Sequence, residues 1–167
     1  PYNDDRPWNK DHIAFFGGSD ITTVLLGNQP AGTFSYFTSN KFSALSATVE
    51  LGKVKPFGEN DMESFSGINN NLKLLIQAEP VKTKAFDNNV YKIFKVKKEI
   101  IKTSPQFKLL LADDVKNFTS FKKGTLLTSV GNDKKYIVES DGEAIVSPNN
   151  DVPVGQRVGV LLAEVDI

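Results

Sequence analysis

A run of short and β-branched residues, 47–50, ends in a carboxylate and is followed at once by a glycine and a loop rich in Pro and Gly. Such a run predicts a buried strand that delivers Glu50 at its carboxyl end. Open α/β sheets place their functional groups at this end of their strands. Because Val49 and Leu51 flank the carboxylate, we expect partial desolvation, which raises a carboxyl pKa toward the range of a general base. The alternative is a strand-end Glu paired with one of the lysines that follow it.

The first part of the chain combines helical and strand patterns. Residues 6–18 carry apolar residues at roughly helical spacing, with Asp4 or Asp5 as the cap and a Gly pair as the stop, which predicts a helix. His12 lies on or near the apolar face of this helix, and we interpret it as a packing or surface histidine. Residues 21–26 are β-branched and bounded by turn residues, which predicts a second buried strand. Two buried strands flanked by helices are typical of an α/β sheet.

Two further segments of this part carry distinct patterns. Residues 27–41 are rich in Gly, Ser, Thr and Asn with interleaved aromatics. This composition fits a binding loop and equally a long surface connection with buried anchors.

Farther along, Asn60 and Glu63 have the form of a capping box. Apolar residues then recur every three or four positions up to Gln77, which predicts a helix whose apolar stripe packs in the core.

The composition changes between Pro80 and Asn89, where Pro, Lys, Thr, Asp and Asn predominate. We place the domain boundary there, with an α/β portion at 1–80 and an all-β domain at 81–167. Beyond it, β-type segments separated by turns predict a small β-barrel or β-sandwich. These segments lie at 90–96, 99–101, 107–111, 125–130, 136–139, 144–147 and 158–165. The predicted fold class is therefore α/β followed by all-β.

Composition narrows the classes of partner and mechanism. Lys plus Arg and Asp plus Glu number 20 each in the 167 residues, so no overall charge favours nucleic acid or an anionic membrane. No signal peptide and no apolar run of membrane-spanning length is present, and we take the cytoplasm as the default compartment. Cys is absent and His12 is the single histidine, which leaves too few ligands for a self-contained zinc site and no complete catalytic triad. The start lacks an initiator Met, which fits a segment of a longer protein.

Several strings of residues are similar to one known family. They are Pro30–Phe34, Val49–Lys53, Pro56–Asp61, Ser104–Phe107, Asn117–Phe118, Phe121–Leu127 and Val158–Leu162. Together they resemble the carboxyl-terminal half of the succinylglutamate desuccinylases, a family of zinc-dependent amidohydrolases that also contains aspartoacylase. The resemblance implies the last part of a zinc-carboxypeptidase-like α/β domain followed by the β module. It also implies that the zinc ligands, two His and a Glu, lie in an amino-terminal half that this sequence does not contain.

The resemblance implies hydrolysis of a small molecule, N-succinyl-L-glutamate, to succinate and L-glutamate in the succinyl route of arginine breakdown. Glu50 would then act as general base and afterwards as general acid. Gly32, Thr33 and Lys41 correspond to the mouth of the family's site and become candidates for holding a substrate carboxylate. The sequence departs from the family ten residues before Glu50, where the family tends to carry Arg and this chain has Asn40. The neighbouring Lys41 supplies a positive charge but not the two parallel hydrogen bonds that an Arg guanidinium makes to a carboxylate.

Some assignments remain open. The β module carries three basic residues with two possible roles: Lys122, Lys123 and Arg157. They either reach a pocket rim and meet an anionic substrate or stay solvated on turns. Arg157 is the substrate-binding candidate among them. Aspartoacylase-like hydrolysis of another N-acyl amino acid is one alternative function. A non-catalytic carrier or binding module is another, because Lys134 in a turn resembles the modified lysine of lipoyl and biotinyl carriers.

The chain by itself is expected to be inactive, because the resemblance places the zinc ligands elsewhere. It is also expected to expose a sheet edge and an apolar face that the amino-terminal half would cover. Limited solubility, self-association or a homo-oligomer is the corresponding expectation.

Overall fold

The computed structural model describes residues 6–27, 31–52, 55–112, 114–129 and 136–167. The chain forms two compact units, one of Pro1–Lys92 with Ile167 and one of Ile93–Asp166. Helices are found in the first unit and most strands in the second, in agreement with the predicted order of α/β followed by all-β. In the described part of the chain, no helix is both long enough and apolar enough to cross a membrane.

Helix α1, Lys10–Gly17, confirms the helix predicted over residues 6–18 but begins later. Its cap is Asn9, whose side chain accepts a hydrogen bond from the backbone N–H of His12 at 2.8 Å. The predicted caps Asp4 and Asp5 lie outside the described residues. The half-buried ring of His12 lies 5.2 Å from that of Phe16, as expected of a packing histidine. Burial, and then nearby positive charge, lowers the pKa of His12.

Strand β1, Thr23–Leu26, confirms the strand predicted over residues 21–26, although only its last residue is buried. Helix α2, Phe34–Phe42, falls within and just beyond the segment predicted as a loop, so that prediction is wrong. The residue types of α2 have low helix propensity, which is why composition alone indicated a loop. Three of its aromatic rings are exposed and do not serve as buried anchors: Phe34, Phe37 and Phe42.

Helix α3, Ser66–Ile76, follows a 3-10 turn at Glu63–Phe65. The side chain that accepts from this turn belongs to Asp61 and not to Asn60, since the Asp61 carboxylate accepts from the N–H groups of Glu63 at 3.2 Å and Ser64 at 3.4 Å. The prediction that the apolar stripe packs in the core is wrong for most of its members. Ile68 is buried, whereas other side chains of the stripe are exposed: Met62, Leu72, Leu75 and Ile76.

Buried Asn71 ties α3 to the rest of the first unit. Its amide group donates to the Lys82 carbonyl at 2.8 Å and to the Ser19 hydroxyl at 3.1 Å. The Lys82 N–H donates back to the Asn71 side chain at 2.9 Å. Farther along, the Tyr91 hydroxyl donates to the Lys84 carbonyl at 2.7 Å. These contacts explain why residues 81–92, which composition assigned to the all-β domain, belong to the compact unit that ends at Lys92.

The second unit is built from antiparallel strands, two of them long and the others short. They are β2 Lys92–Ile101, β3 Lys108–Leu109, β4 Thr119–Phe121, β5 Thr128–Ser129, β6 Glu143–Val146 and β7 Arg157–Glu164. Strands β2, β7, β6 and β4 lie side by side in that order, and β3 pairs with β5. β2 is one strand with irregular register near Val96 and Lys98, where the sequence predicted either one strand or two. The segment predicted at 136–139 forms a single bridge, Leu126 to Ile137, and β4 was not predicted.

Two apolar clusters fill the second unit. The larger contains eight buried residues: Ile100, Phe107, Leu109, Leu127, Val138, Ile145, Val158 and Leu161. The smaller is formed around Phe94 and Leu162, with Phe118 packed against it. Phe121 packs against the larger cluster, so both phenylalanines contribute to the core of this module.

Glu143 is a buried carboxylate at the start of β6. Its Oε1 accepts from the Lys97 ammonium at 2.7 Å and from the Ser140 N–H at 2.7 Å. Lys97 also pairs with the exposed Glu139 at 2.6 Å. The hydrogen bonds to Glu139 and Glu143 together raise the pKa of Lys97. This ion pair compensates the buried charge through Oε1 only, because Oε2 of Glu143 is buried without a hydrogen-bond partner among the described residues.

Candidate functional site

Helix α2 begins with a side-chain N-cap. The Thr33 hydroxyl accepts from the Tyr36 N–H at 3.2 Å, and the Thr33 backbone is extended, with φ −94° and ψ 151°. Short helices of weak helix formers need such a cap, because the first N–H groups have no partner inside the helix. Lys41 lies in the last turn, where its charge interacts favourably with the helix dipole.

Arg6 fixes the other end of α2. Its guanidinium donates to the Ala44 carbonyl at 3.0 Å and also to the Ser43 carbonyl and the buried Ser39 hydroxyl. Beyond the helix, the Thr38 and Ser46 hydroxyls lie within hydrogen-bond distance at 2.9 Å. These hydrogen bonds therefore hold the start of the segment that leads from α2 toward Glu50.

An open cavity of about 650 Å³ lies along α2. Its lining residues come from the helix and the residues just before it: Ala31, Gly32, Thr33, Phe34, Tyr36, Phe37, Asn40 and Lys41. Within it, the Asn40 side-chain amide donates to the Tyr36 hydroxyl at 3.4 Å, a long and weak hydrogen bond. The cavity thus combines aromatic surface with a hydroxyl, an amide and one ammonium group, a mixture that fits a small polar ligand with negative charge.

The structure brings three of the predicted substrate-binding residues together. Gly32, Thr33 and Lys41 all line the cavity along α2. Arg157 lies in the second unit, on β7, where it pairs with Glu99 at 3.0 Å. Its guanidinium therefore already has a carboxylate partner within its own module.

The predicted strand before Glu50 does not form. Residues 43–51 have no regular secondary structure, and the side chain of Glu50 is exposed, as is that of Leu51. A strand needs a neighbour to pair its backbone N–H and C=O groups, and no strand among the described residues pairs with residues 47–50. The expected desolvation of Glu50 is for the same reason not observed, and Glu50 is not among the residues that line the cavity. Its catalytic role stays a prediction.

Other candidate residues of the β module lie on its surface. Lys122 and Lys123 are exposed at a turn, which agrees with the solvated alternative. The turn is fixed by the Asp141 carboxylate, which accepts from the Lys123 N–H at 2.8 Å. Lys134, the residue on which the carrier alternative depends, lies outside the described residues.

Sequence reasoning missed two polar residues of the cavity, Tyr36 and Asn40. The signal was present as a spacing: Thr33, Tyr36 and Asn40 recur at intervals of three and four residues, which places them on one face of a helix. The composition of residues 27–41, which favours a loop, conceals this spacing. Arg6 was missed as well, since its contacts with residues 39–44 span more than 30 positions of sequence.

The described residues do not form a zinc site. Among residues 6–27, 31–52, 55–112, 114–129 and 136–167, no group of three or more His, Cys, Asp or Glu side chains could hold a metal ion. The single histidine, His12, is half-buried beside Phe16. The zinc implied by the resemblance does not fit the donors of this part of the chain, so no chemical step of the chain is derived through it.

Comparison with known proteins identifies the class. Residues 1–76 match the succinylglutamate desuccinylase/aspartoacylase catalytic domain. Residues 89–165 match the AstE/AspA barrel-sandwich hybrid domain. The described fold has the same order, with helices and irregular segments first and the antiparallel module second. The chain is thus part of a catalytic α/β domain joined to a barrel-sandwich hybrid domain.

Individual proteins agree with this class. The chain is 42% identical over 158 residues to succinylglutamate desuccinylase of Pseudoalteromonas atlantica and 40% identical over 162 residues to that of Shewanella amazonensis. These matches cover 94% and 97% of this chain. A solved structure of succinylglutamate desuccinylase from Chromobacterium violaceum superposes with a TM-score of 0.82 at 36% identity, covering 99% of this chain and 49% of that one. The chain belongs to the succinylglutamate desuccinylase/aspartoacylase family, which confirms the resemblance found in the sequence.

The chain spans about half the length of the relatives it matches. It covers 45% of the Pseudoalteromonas protein and 46% of the Shewanella protein. A Vibrio cholerae succinylglutamate desuccinylase structure, 27% identical with a TM-score of 0.83, is covered to 47% by 98% of this chain. The match corresponds to the carboxyl-terminal half of these proteins.

Proposed function

We propose that this chain is the carboxyl-terminal half of a hydrolase that cleaves N-succinyl-L-glutamate to succinate and L-glutamate, a reaction of arginine catabolism. One observation carries the proposal: both family domains match in the family's order, and Glu50 lies inside the catalytic match together with the cavity along α2. The relatives named succinylglutamate desuccinylase at 40–42% identity support this substrate.

Glu50 is the general base of the proposed reaction. Its exposed carboxylate takes a proton from the attacking water as the water oxygen bonds to the amide carbon. It then returns that proton to the amide nitrogen as the C–N bond breaks, so the carboxylate is regenerated with each turnover. Proton transfer by a positioned carboxylate contributes about 10²–10⁴-fold to a rate.

The cavity along α2 receives a carboxylate of the substrate. N-Succinylglutamate carries three carboxylates, and Lys41 supplies a cation at the cavity wall. An ammonium group interacts with a carboxylate as a point charge and does not impose the two-point geometry of a guanidinium. Asn40 and Tyr36 provide hydrogen-bonding groups on the same helix face, and their mutual hydrogen bond of 3.4 Å is weak enough to exchange for one to the substrate.

In this proposal, the zinc of the resembling family would be bound by residues outside this chain. Its ligands would lie in the part of the catalytic domain outside this chain, and it would polarise the scissile amide and its water. On this account the chain by itself hydrolyses no substrate.

The test uses a chimera that joins the amino-terminal part of the Pseudoalteromonas atlantica relative to this chain. The expected result is zinc-dependent release of glutamate from N-succinyl-L-glutamate, with a kcat/KM at least about tenfold above that for N-acetyl-L-aspartate. A folded, zinc-loaded chimera that hydrolyses neither compound would refute the proposal.

A second candidate function is hydrolysis of a different N-acyl amino acid. It is favoured by the catalytic-domain match, whose family joins succinylglutamate desuccinylase with aspartoacylase. Asn40 stands where the resemblance implies an Arg, and it also bears on acyl selection because Asn offers the substrate no positive charge. The same chimera distinguishes the two, since a preference for N-acetyl-L-aspartate would select this candidate.

A further inference from the structure

Asn40 and Lys41, two polar residues of the cavity wall, lie in the last turn of α2. Both side chains are exposed, and the nine residues of α2 are mostly types that form helices weakly. A helix of this length is not stable by itself in water, so its last turn keeps a defined geometry only where other groups hold it. The direction of the Lys41 ammonium group therefore depends on what holds the end of α2.

Arg6 holds this end of the helix from a distant part of the sequence. Its guanidinium donates to the carbonyl of Ser43 and, at 3.0 Å, to the carbonyl of Ala44. It also donates to the hydroxyl of Ser39, inside the helix. One planar group thus joins the last turn of α2 to the two residues that follow it.

The backbone at this helix end needs such a donor. Ser43 has a left-handed conformation, with φ 54° and ψ 25°, at a position that glycine usually occupies. The Ala44 N–H donates to the Thr38 carbonyl at 3.3 Å, as at other helix ends of this type. Positive charge is favourable near these carbonyls, because the carboxyl end of a helix is the negative end of its dipole. Arg6 therefore stabilises a reversal of the chain that serine does not favour.

The contact with Ser39 also fixes the rotation of the last turn. Ser39 is 2% exposed, whereas Asn40 and Lys41 are exposed. Successive side chains of a helix point about 100° apart around its axis. Because Ser39 is held inward by Arg6, the two residues after it are held on the outer side, where they line the cavity.

Arg6 acts on the cavity indirectly. Its side chain is half-buried, its guanidinium donates to acceptors of the protein, and it is not among the residues that line the cavity. A lysine would not replace it, because an ammonium group is a point donor and lacks the planar fork that reaches several acceptors at once. The geometry is thus that of a residue that positions others.

We propose that Arg6 is a positioning residue of the candidate site: by holding the last turn of α2, it directs the Lys41 ammonium group toward a substrate carboxylate. This inference rests on the proposed function, which supplies the carboxylate. The effect of Arg6 is on substrate affinity, because Lys41 binds the substrate whereas Glu50 transfers the proton.

The test is the Kd of N-succinyl-L-glutamate, measured by isothermal titration calorimetry with the chimera that carries the Pseudoalteromonas atlantica amino-terminal part. Every sample also carries Glu50→Gln, which prevents turnover. Arg6→Gln should raise the Kd about tenfold, through the misdirected charge of Lys41. The matched control is Lys73→Gln, which removes a positive charge from the last turn of α3 and should change the Kd less than about twofold.

A double-mutant cycle distinguishes positioning from a general loss of structure. Lys41→Gln should raise the Kd at least as much as Arg6→Gln does. Adding Arg6→Gln to Lys41→Gln should raise it less than about twofold further, because a positioning residue has no effect once the group that it positions is absent. A merely structural role would instead add its full loss to that of Lys41→Gln.

A conservative variant separates geometry from charge. Arg6→Lys keeps the positive charge but not the fork, so it should raise the Kd nearly as much as Arg6→Gln. If Arg6→Gln does not fold, the cycle is measured with Arg6→Lys. Full affinity of the Arg6→Lys chimera would overturn the inference, since the charge alone would then be sufficient.

The remaining outcomes separate this inference from the proposed function. Additive losses in a chimera that hydrolyses N-succinyl-L-glutamate when Glu50 is present overturn the inference alone. A non-additive cycle in a chimera that binds the compound but does not hydrolyse it supports the inference and contradicts the proposed function. A folded chimera that does not bind the compound at all counts against both.

Discussion

Replacing Asn71 by alanine should destabilise the first unit strongly, although only one small side chain changes. The Asn71 amide nitrogen lies 2.8 Å from the Lys82 carbonyl oxygen, 3.1 Å from the Ser19 hydroxyl and 3.3 Å from the Phe15 carbonyl oxygen, and its two hydrogens are shared among these three acceptors. Its oxygen accepts from the Lys82 N–H at 2.9 Å. An alanine side chain would make none of these hydrogen bonds. Asn71 is 1% exposed, so water does not replace them without rearrangement.

The magnitude follows from the number and burial of these bonds. A net contribution of about 1 kcal/mol for each good hydrogen bond, with a further penalty for buried partners left unpaired, gives a loss of roughly 3–5 kcal/mol. The higher helix propensity of alanine offsets only about 0.5 kcal/mol of this loss. A domain is stable by about 5–15 kcal/mol in total, so the variant should unfold at a much lower urea concentration.

The assay is urea unfolding followed by the fluorescence of Trp8, the single tryptophan of the chain, which lies in the first unit. Asn70→Ala is the matched control, because Asn70 is the exposed neighbour on the same helix and should change stability by less than about 0.5 kcal/mol. A loss at Asn71→Ala that is within about 1 kcal/mol of the control would refute the reasoning that this residue fixes α3.

Two further predictions concern a pair of helix glycines, in α1 and α3, and the histidine of α1. Gly17→Ala should destabilise the fold despite the usual gain of alanine in a helix, because the added Cβ would lie 1.7 Å from the Tyr91 hydroxyl. Gly67→Ala should be tolerated, because its Cβ would lie 3.4 Å from the nearest atom. Thermal unfolding of both variants checks the contrast. His12 is expected to make the fold less stable as the pH falls below about 6.5, because its pKa is lowered in the folded state and the unfolded chain binds the proton more readily. Urea titrations across this range should show a smaller dependence in His12→Gln, and an identical dependence in both proteins would contradict the assignment.

Much of the fold could be predicted from local pattern. The helix at α1 and the long strands β2 and β7 have strong periodicity and clear stop signals, and the structure confirms them. The position of α2 was missed because its stability comes from a cap at Thr33 and from Arg6, a residue remote in sequence. Strand β4 was missed because it has only three residues and is defined by its pairing with β6.

Burial was harder to predict than secondary structure. The apolar spacing of α3 correctly indicated a helix, but it could not tell whether each apolar side chain meets a neighbour within this chain. Ile68 does, and Ile76 does not. The same limit applies to residues 47–50, whose strand-like pattern has no pairing strand in the described part of the chain. Periodicity reports the preference of a segment, whereas burial depends on what is packed against it.

The candidate site was predicted in part for the same reason. Gly32, Thr33 and Lys41 were named from resemblance, and the structure places them along one cavity. Tyr36 and Asn40 join them only because the segment is helical, a feature that composition did not reveal. The proposed role of Glu50 depends on groups outside this chain. The position of Glu50 relative to the reacting groups could therefore not be predicted from this sequence.

The most direct measurement of the central claim is the rate at which the chimera with Glu50→Gln hydrolyses N-succinyl-L-glutamate. The matched control is Glu79→Gln, an exposed carboxylate beyond the end of α3. The account predicts that kcat falls about 10²–10⁴-fold for Glu50→Gln, with zinc content, KM and thermal unfolding close to those of the unmodified chimera, whereas Glu79→Gln retains full activity. A Glu50→Gln chimera that turns over as fast as the control would contradict the claim that Glu50 is the general base.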